Sequence, residues 1–291
     1  MKQGDLVIRK SYGGDLLFRI EEIENQRAVL KGFSVRLLAD SPIPDLQPIH
    51  NMRPHPQWSV SEDKWKQTLQ NLEQYTWQQK QKSQTQFTPS AVRPPYFEMP
   101  GKVLHLDGDS TYLRKSMTLY GHLRIPAEGF YVAEAQMAQA LHRLLPQIRP
   151  DIVIITGHDG ILKHYKHEIG NLGSYKNSMN FVNAVKVARE YERNRDTLIV
   201  IAGACQSHFE ALLQAGANFA SSPGRVLIHA LDPVAIAVKV AYTSIKETVN
   251  LYDAISETMS GMEGVGGIET RGCFRVGLPK IQESATSMSA T

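Results

Sequence analysis

A cysteine and a histidine each follow a short apolar run of the chain. Cys205 comes soon after residues 198–202, and His158 comes soon after residues 152–155, 47 positions before the cysteine. Runs of this kind are typical of buried parallel strands, whose carboxyl ends lie at one edge of a sheet. A thiol beside an imidazole suits nucleophilic acyl transfer, in which the histidine carries the proton. The pattern therefore predicts a Cys–His dyad that acts by nucleophilic catalysis through a thioacyl intermediate.

The dipeptide Ala204-Cys205 strengthens this interpretation. A lone cysteine is more often a buried apolar residue than a nucleophile, but caspase-like enzymes carry their histidine roughly 50 residues before an Ala-Cys dipeptide. Residues 206–216 read as a short helix that ends at Gly216, and a helix N-terminus favours a thiolate. We expect this helix to activate the thiol, and we expect His208 within it to face outward.

Further polar groups belong to the same predicted edge of the sheet. The backbone N–H groups of Cys205 and of Asp159 or Gly160 are the predicted donors to the oxyanion. Asp107 and Asp109 follow another apolar run, at the carboxyl end of the first strand of the same domain. Because Asp109 also precedes a predicted helix, ordinary capping of that helix is the alternative interpretation of this residue.

Strands and helices alternate around these residues. The predicted strands are 103–106, 152–155, 198–202 and 226–228, with a further edge strand at 274–276. The predicted helices are 110–121, 133–149, 177–193, 233–244 and 249–259. This alternation predicts that residues 101–291 form a three-layer α/β/α sandwich with a mainly parallel sheet.

The chain ahead of this domain has a different pattern. Residues 1–50 alternate in short pieces separated by turn residues, which predicts a small SH3-like β-barrel. Its predicted strands are 6–8, 16–20, 27–30 and 35–38. Residues 51–100 read as a helix followed by a Pro/Gln-rich linker. We expect the barrel to be a docking or regulatory module that lies apart from the active site.

The composition is compatible with a folded globular protein and indicates no particular partner. The 291 residues are 42% hydrophobic, which suffices for a core, and a net charge of +3 indicates no nucleic-acid partner. Two cysteines suit a reducing compartment rather than a disulfide framework. No apolar stretch reaches the length of a membrane span. These features predict a soluble protein made in the cytoplasm and leave its oligomeric state open.

Several motifs together resemble a known family. They are Gly157-His158-Asp159-Gly160, Gly203-Ala204-Cys205-Gln206-Ser207, the turn Asp107-Gly108-Asp109 and, ahead of them, Gly4-Asp5. Along its whole length the chain resembles the YabG family of sporulation-specific proteases from endospore-forming bacteria. The order of the histidine and Ala-Cys blocks is, more broadly, that of the caspase, legumain, clostripain and gingipain clan. That clan usually has glycine directly after the histidine, whereas this chain has Asp159 there.

The resemblance implies a cysteine endopeptidase that processes spore-coat and coat-assembly proteins and cleaves after arginine. It also implies synthesis in the mother cell, association with the spore coat and a caspase-like fold. In the clan, the strand end that carries Asp107 and Asp109 commonly lines the specificity pocket, and a buried carboxylate pairs with a guanidinium through two hydrogen bonds. We therefore expect one of these residues to bind the arginine, and we expect no cofactor and no third catalytic residue.

Two other functions are compatible with the residues. One is a metal-dependent hydrolase, with ligands drawn from Asp107, Asp109, His158, Asp159, His164 and His167, the last two sharing a predicted helical face. The other is a non-catalytic coat-assembly scaffold, in which the barrel binds partners and Cys205 is buried.

Overall fold

The structure is a computed structural model that describes residues 1–49, 56–85, 96–165 and 167–278, with the side chains of its first helix described from residue 63 to residue 83. Its strands are β1 (Leu6–Arg9), β2 (Phe18–Glu24), β3 (Arg27–Gly32), β4 (Leu38–Pro42), β5 (Leu46–Pro48), β6 (Phe97–Met99), β7 (Val103–Asp107), β8 (Ala127–Tyr131), β9 (Ile152–Thr156), β10 (Ile199–Ala202), β11 (Phe219–Ser221), β12 (Val265–Gly267) and β13 (Arg275–Gly277). Its helices are α1 (Pro56–Thr85), α2 (Ser110–His122), α3 (Met137–Ile148), α4 (Ser178–Tyr191), α5 (Phe209–Ala215), α6 (Asp232–Tyr242), α7 (Leu251–Ser256) and α8 (Gly261–Gly264). Over the described ranges, no helix is both long enough and apolar enough to cross a membrane.

The N-terminal sheet (residues 1–49) is antiparallel and has the strand order β4-β3-β2-β1-β5. Alternate side chains of β2, such as Phe18 and Ile20, point into a small core of its own. The turn from β2 to β3 holds Asn25 and Gln26 at positive φ, as a tight two-residue hairpin requires. That the five strands close into an SH3-like barrel stays a prediction.

One predicted strand of this sheet is wrong. The pattern favours a strand at residues 35–38, but β4 begins at Leu38. The preceding residues 33–37 form the tip of the hairpin between β3 and β4, and we call them the hairpin tip. The Gly32 N–H donates to the Leu37 carbonyl over 2.8 Å and closes its base. The tip does not continue the pairing of β3 with β4, because its backbone is bonded instead to residues 228–230 and to helix α2.

The central sheet has the strand order β12-β11-β10-β9-β7-β8, and its neighbouring strands are parallel except for β11 and β12. Buried side chains alternate between its faces: Ile154 packs with α6 and Ile155 packs with α3 and α4. Helices therefore cover both faces, which is the arrangement expected of an α/β protein. The α/β class with a mainly parallel sheet is confirmed, and the caspase-like form of the sandwich stays a prediction.

The sheet differs from the predicted one at two places. The pattern does not predict β8, because Ala127–Tyr131 includes glutamate and glycine and lies at one edge. The predicted strand at residues 226–228 is wrong, and Phe219–Ser221 pairs with β10 instead. The backbone of residues 226–228 is engaged with the loop after β10, since the Val226 carbonyl accepts the Gln206 N–H over 3.1 Å.

Helix α1 packs against the central sheet's helices. Leu72 is fully buried in the core that contains α6, and the Tyr75 hydroxyl lies 2.6 Å from Thr243 Oγ1. The predicted linker is wrong up to Thr85, because glutamine has a good helix propensity and the Gln-rich stretch continues the helix. The prolines of the predicted linker lie outside the described residues: Pro89, Pro94 and Pro95.

Truncation of Leu72 tests this packing. Leu72→Ala removes a fully buried side chain, so we expect it to lower the free energy of unfolding by about 2–5 kcal/mol. Gln74→Ala on the exposed face of the same helix is the control and should leave the stability nearly unchanged. Urea denaturation followed by circular dichroism measures both. Equal stabilities of the two variants would show that α1 is not part of the folded body.

Candidate active site

The ends of three adjacent strands form one edge of the central sheet. Asp107 ends β7, His158 comes two residues after β9, and Cys205 comes three residues after β10. A hydrogen bond joins the ends of β9 and β10: Thr156 Oγ1 donates to the Gly203 carbonyl over 2.8 Å. The parallel register therefore brings the predicted nucleophile, the predicted base and a predicted pocket residue to the same edge.

The Cys205 thiol is buried and held by backbone groups. The Ile228 N–H donates to Cys205 Sγ over 3.2 Å, and Sγ lies 3.7 Å from the Ile228 carbonyl. Burial raises the pKa of Cys205 to about 12, although the backbone hydrogen bond from Ile228 and the charge of Arg36 act in the opposite direction. The thiol is therefore protonated at neutral pH in this conformation.

The helix after Cys205 begins later than predicted. It spans Phe209–Ala215 and ends at Gly216 as expected, but Cys205 itself lies in a turn rather than at its N-terminus. His208 is buried, which corrects the prediction that it faces outward. Its Nδ1 caps the helix by accepting the Ala211 N–H over 3.3 Å, so this histidine serves the fold.

His158 lies between two carboxylates. Its Nε2 is 3.4 Å from Asp109 Oδ2, and its Nδ1 is 3.8 Å from Glu134 Oε1. Burial lowers the pKa of His158 to about 4, against the opposing charges of Asp109 and Asp107. The ring is therefore neutral at pH 7. Its Nε2 is buried and has no hydrogen-bond partner among the described residues, which leaves that nitrogen available to a proton from a reacting group.

Glu134 is a site residue that the sequence analysis does not identify. Its Oε1 accepts the His158 N–H over 2.8 Å and so fixes the loop that carries the imidazole. The carboxylate also lies against Gly108 and Gly157, where an added Cβ would come within 2.5 Å of Oε1 and force Glu134 to move. The two glycines could have indicated that another group lies close to them. The sequence does not show that this group is Glu134, because Glu134 follows β8, a strand that the pattern does not predict.

Asp159 connects the histidine loop to the cysteine loop. Its Oδ2 accepts the Ser207 hydroxyl over 2.8 Å, and Ser207 Oγ accepts the Ala204 N–H over 2.9 Å. Burial raises the pKa of Asp159, although hydrogen bonds from Ser178, Asn177, Gly160 and Ser207 act in the opposite direction. Asp159 therefore holds the two loops in register.

The predicted oxyanion donors are not equivalent. The Gly160 N–H donates to Asp159 Oδ1 over 2.9 Å, so it is already engaged. Over the described ranges, no group accepts a hydrogen bond from the backbone N–H of Cys205 or of Asp159. These two N–H groups are therefore the free candidates of the predicted set.

Asp107 already binds a guanidinium. Arg36 of the hairpin tip donates to both of its carboxylate oxygens, over 2.9 and 2.8 Å, and both side chains are fully buried. Arg36 also donates to the Ala230 carbonyl over 3.1 Å. Burial opposes ionisation of Asp107, but the charge of Arg36, the nearby His105 ring and the hydrogen bonds from Arg36 outweigh it and lower its pKa to about 2.

Asp109 has several partners. Its Oδ1 caps α2 by accepting the backbone N–H groups of Thr111 and Tyr112 over 2.8 and 3.1 Å, as the alternative interpretation expects. Its Oδ2 forms an ion pair with Lys31 of the N-terminal sheet at 2.6 Å. Both predicted pocket carboxylates thus pair with cations of the N-terminal sheet. The expectation that this sheet lies apart from the site is therefore wrong.

The same pairing weakens the interpretation of this edge as a metal site. Asp107 and Asp109 are neutralised by Arg36 and Lys31, and the described part of the chain holds no group of three or more acidic, histidine or cysteine residues with the geometry of a metal centre. His164 lies in the 3₁₀ turn Lys163–Tyr165 rather than on an α-helix with His167, and Lys166 between them lies outside the described residues.

Comparison with known proteins identifies the family of this chain. The family profile described as YabG peptidase U57 matches residues 2–279. The chain belongs to this peptidase family. It is 43% identical over 282 residues to the sporulation-specific protease YabG of Bacillus subtilis (strain 168), an alignment that covers 95% of this chain and 97% of that protein. The resemblance drawn from the motifs is confirmed, and with it the assignment to the peptidases.

The pH dependence of thiol alkylation tests the buried state of this family member's cysteine. In Cys273→Ala protein, we expect the iodoacetamide labelling rate of Cys205 to rise about tenfold per pH unit from pH 7 to pH 10, since a pKa raised to about 12 keeps the thiolate a minor species throughout. Mass spectrometry of the intact protein measures the rate. A plateau below pH 8 would show an ionised thiolate and contradict this description.

Proposed function

We propose that the protein is a sporulation-specific cysteine endopeptidase with Cys205 as nucleophile and His158 as its proton carrier. The observation that carries the proposal is the position of a thiol and an unpartnered imidazole nitrogen after two adjacent parallel strands. Membership of a peptidase family makes protein the class of substrate. The tie between Asp159 and Ser207 supports the pairing, because it fixes the two loops against each other.

The proposed reaction has two halves. When substrate is bound, neutral His158 accepts the thiol proton, and Cys205 Sγ forms a bond to the scissile carbonyl carbon. The amine then leaves with the proton from His158, and a thioester remains on the enzyme. Water next attacks the thioester while His158 takes its proton, which restores the thiol and releases the carboxylic acid. Proton transfer of this kind contributes about 10² to 10⁴ in rate.

The backbone N–H groups of Cys205 and Asp159 would stabilise the tetrahedral intermediate. Both groups lack acceptors among the described residues, and both belong to loops that Asp159 and Ser207 hold rigid. Preorganised donors of this kind stabilise the developing oxyanion more than the ground-state carbonyl, because they need no reorganisation during the reaction.

Asp107 would select arginine at the residue before the cleaved bond. The support is the geometry of Arg36, whose guanidinium donates two charge-assisted hydrogen bonds to Asp107 and lies 5.0 Å from the Tyr112 ring. A planar guanidinium fits this carboxylate through two parallel N–H groups, whereas the compact ammonium of lysine has no such matching pair. Asp109 caps α2 and is the weaker candidate for this role.

The substrates are proposed to be spore-coat and coat-assembly proteins. The support is the identity with a relative whose name describes a sporulation-specific protease. The enzyme would then act in the mother cell and associate with the coat. A non-catalytic scaffold is the alternative, and it predicts no cleavage by the wild-type protein.

Replacement of the dyad tests the cysteine mechanism. We expect Cys205→Ala and His158→Ala to abolish cleavage of an arginine-containing peptide, because neither thioester formation nor proton transfer is then possible. The matched control is Cys273→Ala, which removes the other buried thiol and should keep activity. Release of a chromogenic group from the peptide measures the cleavage rates, and circular dichroism shows whether each variant is folded. Cleavage by folded Cys205→Ala at the wild-type rate would contradict the assignment, and loss of wild-type activity with EDTA that zinc restores would favour a metal enzyme.

Replacement of the pocket carboxylate tests the preference for arginine. We expect Asp107→Asn to lower kcat/KM for peptides with arginine before the cleaved bond by about 10- to 100-fold, since it removes the charge from two hydrogen bonds. Peptides with a neutral residue there should lose much less. Asp40→Asn, which alters an exposed ion pair of the N-terminal sheet, is the control. Equal losses of kcat/KM for both kinds of peptide would show that Asp107 does not bind the substrate's arginine.

A further inference from the structure

The hairpin tip lies beside the active-site cysteine as an added strand. The Arg36 N–H donates to the Ile228 carbonyl over 3.2 Å, and the Ala230 N–H donates to the Ser34 carbonyl over 2.8 Å. Between them, Val35 pairs with His229 in an antiparallel bridge. The backbone stretch that accepts this strand is the same one whose Ile228 N–H binds the Cys205 sulfur.

The side chain of Arg36 fills the acidic pocket at this edge. Its guanidinium binds Asp107 at both oxygens and the Ala230 carbonyl, and no part of Arg36 is exposed. Its backbone N–H donates to the Ile228 carbonyl, and that carbonyl oxygen lies 3.7 Å from the Cys205 sulfur. An arginine side chain in the pocket with its own backbone at the nucleophile is the arrangement expected of a bound substrate.

Helix α2 holds the tip in this position. The Tyr112 hydroxyl lies within hydrogen-bonding distance of the Gly32 and Val35 carbonyls, and Lys115 Nζ donates to the Phe33 carbonyl over 2.8 Å. The tip itself belongs to the N-terminal sheet, because the Phe33 N–H donates to the Leu17 carbonyl over 2.9 Å. Movement of the tip out of the cleft would therefore involve the N-terminal sheet to which it is bonded.

We propose that the hairpin tip is a built-in occupant of the substrate cleft, in which Arg36 takes the place of a substrate's arginine and excludes other chains from Cys205. The identity of that substrate residue rests on the function proposed above, whereas the exclusion rests on the contacts alone. A tethered occupant lowers the apparent affinity for substrate by the fraction of molecules in which the cleft is open. The N-terminal sheet would thus restrain the enzyme until the tip leaves.

Access to the thiol tests the exclusion without reference to activity. In Cys273→Ala protein, we expect Arg36→Ala to increase the iodoacetamide labelling rate of Cys205 at least tenfold, and acetyl-arginine amide to slow labelling in this variant. Arg27→Ala is the matched control, because Arg27 pairs with Asp40 on the exposed side of the same sheet. It should label at the unmodified rate. Equal rates in folded Arg36→Ala and its parent would overturn the proposal.

A second substitution keeps the test valid if Arg36→Ala protein unfolds, since that variant leaves the buried Asp107 carboxylate without its cation. Arg36→Lys keeps a positive charge there but loses the second hydrogen bond, and we expect a smaller increase in labelling. A folded Arg36→Lys protein that labels no faster than its parent would also overturn the proposal.

Peptide cleavage separates this inference from the proposed function. We expect Arg36→Ala to lower the apparent KM for a short arginine peptide relative to the wild type. Faster labelling without cleavage of any peptide would support the occupied cleft and contradict the peptidase mechanism. Cleavage with the same KM and equal labelling in both proteins would support the mechanism and contradict the occupied cleft.

Discussion

The buried ion pair between Arg36 and Asp107 is the interaction on which the arrangement of the molecule depends. Both side chains are fully buried, and they belong to different sheets that lie far apart in the sequence. Loss of one partner of such a pair costs about 3–5 kcal/mol, because the other charge is left without compensation. The pair therefore fixes the N-terminal sheet on the carboxyl edge of the central sheet, where the cysteine and histidine loops also lie.

The chemical state of the site follows from this docking. The hairpin tip covers the edge at which Cys205 is fully buried, and burial keeps its thiol protonated. His158 is neutral for the same reason, so neither the proposed nucleophile nor its proposed proton carrier is charged in the covered state. In this state, the hydrogen bond from Ser207 to Asp159 still holds the histidine loop against the cysteine loop. The side chains of the candidate site are thus in place, but its thiol and its imidazole are uncharged.

The sequence could reveal the parts of the site that depend on local pattern. Apolar runs ending before Asp107, His158 and Cys205 predict three strands, and parallel pairing brings their ends together. Glu134 could not be found, because it follows an edge strand with a weak apolar pattern. Arg36 could not be found either, since its partner is 71 positions away and the tip lacks a strand's ladder.

A structure of the enzyme bearing a covalent arginyl inhibitor on Cys205 tests the central claim most directly. An arginyl chloromethyl ketone is a suitable reagent, because its guanidinium and its reactive carbon must reach the pocket and the thiol together. The account predicts that the inhibitor's guanidinium occupies both oxygens of Asp107 and that Arg36 is displaced with its hairpin tip. A complex in which Cys205 is alkylated while Arg36 still binds Asp107 would contradict it.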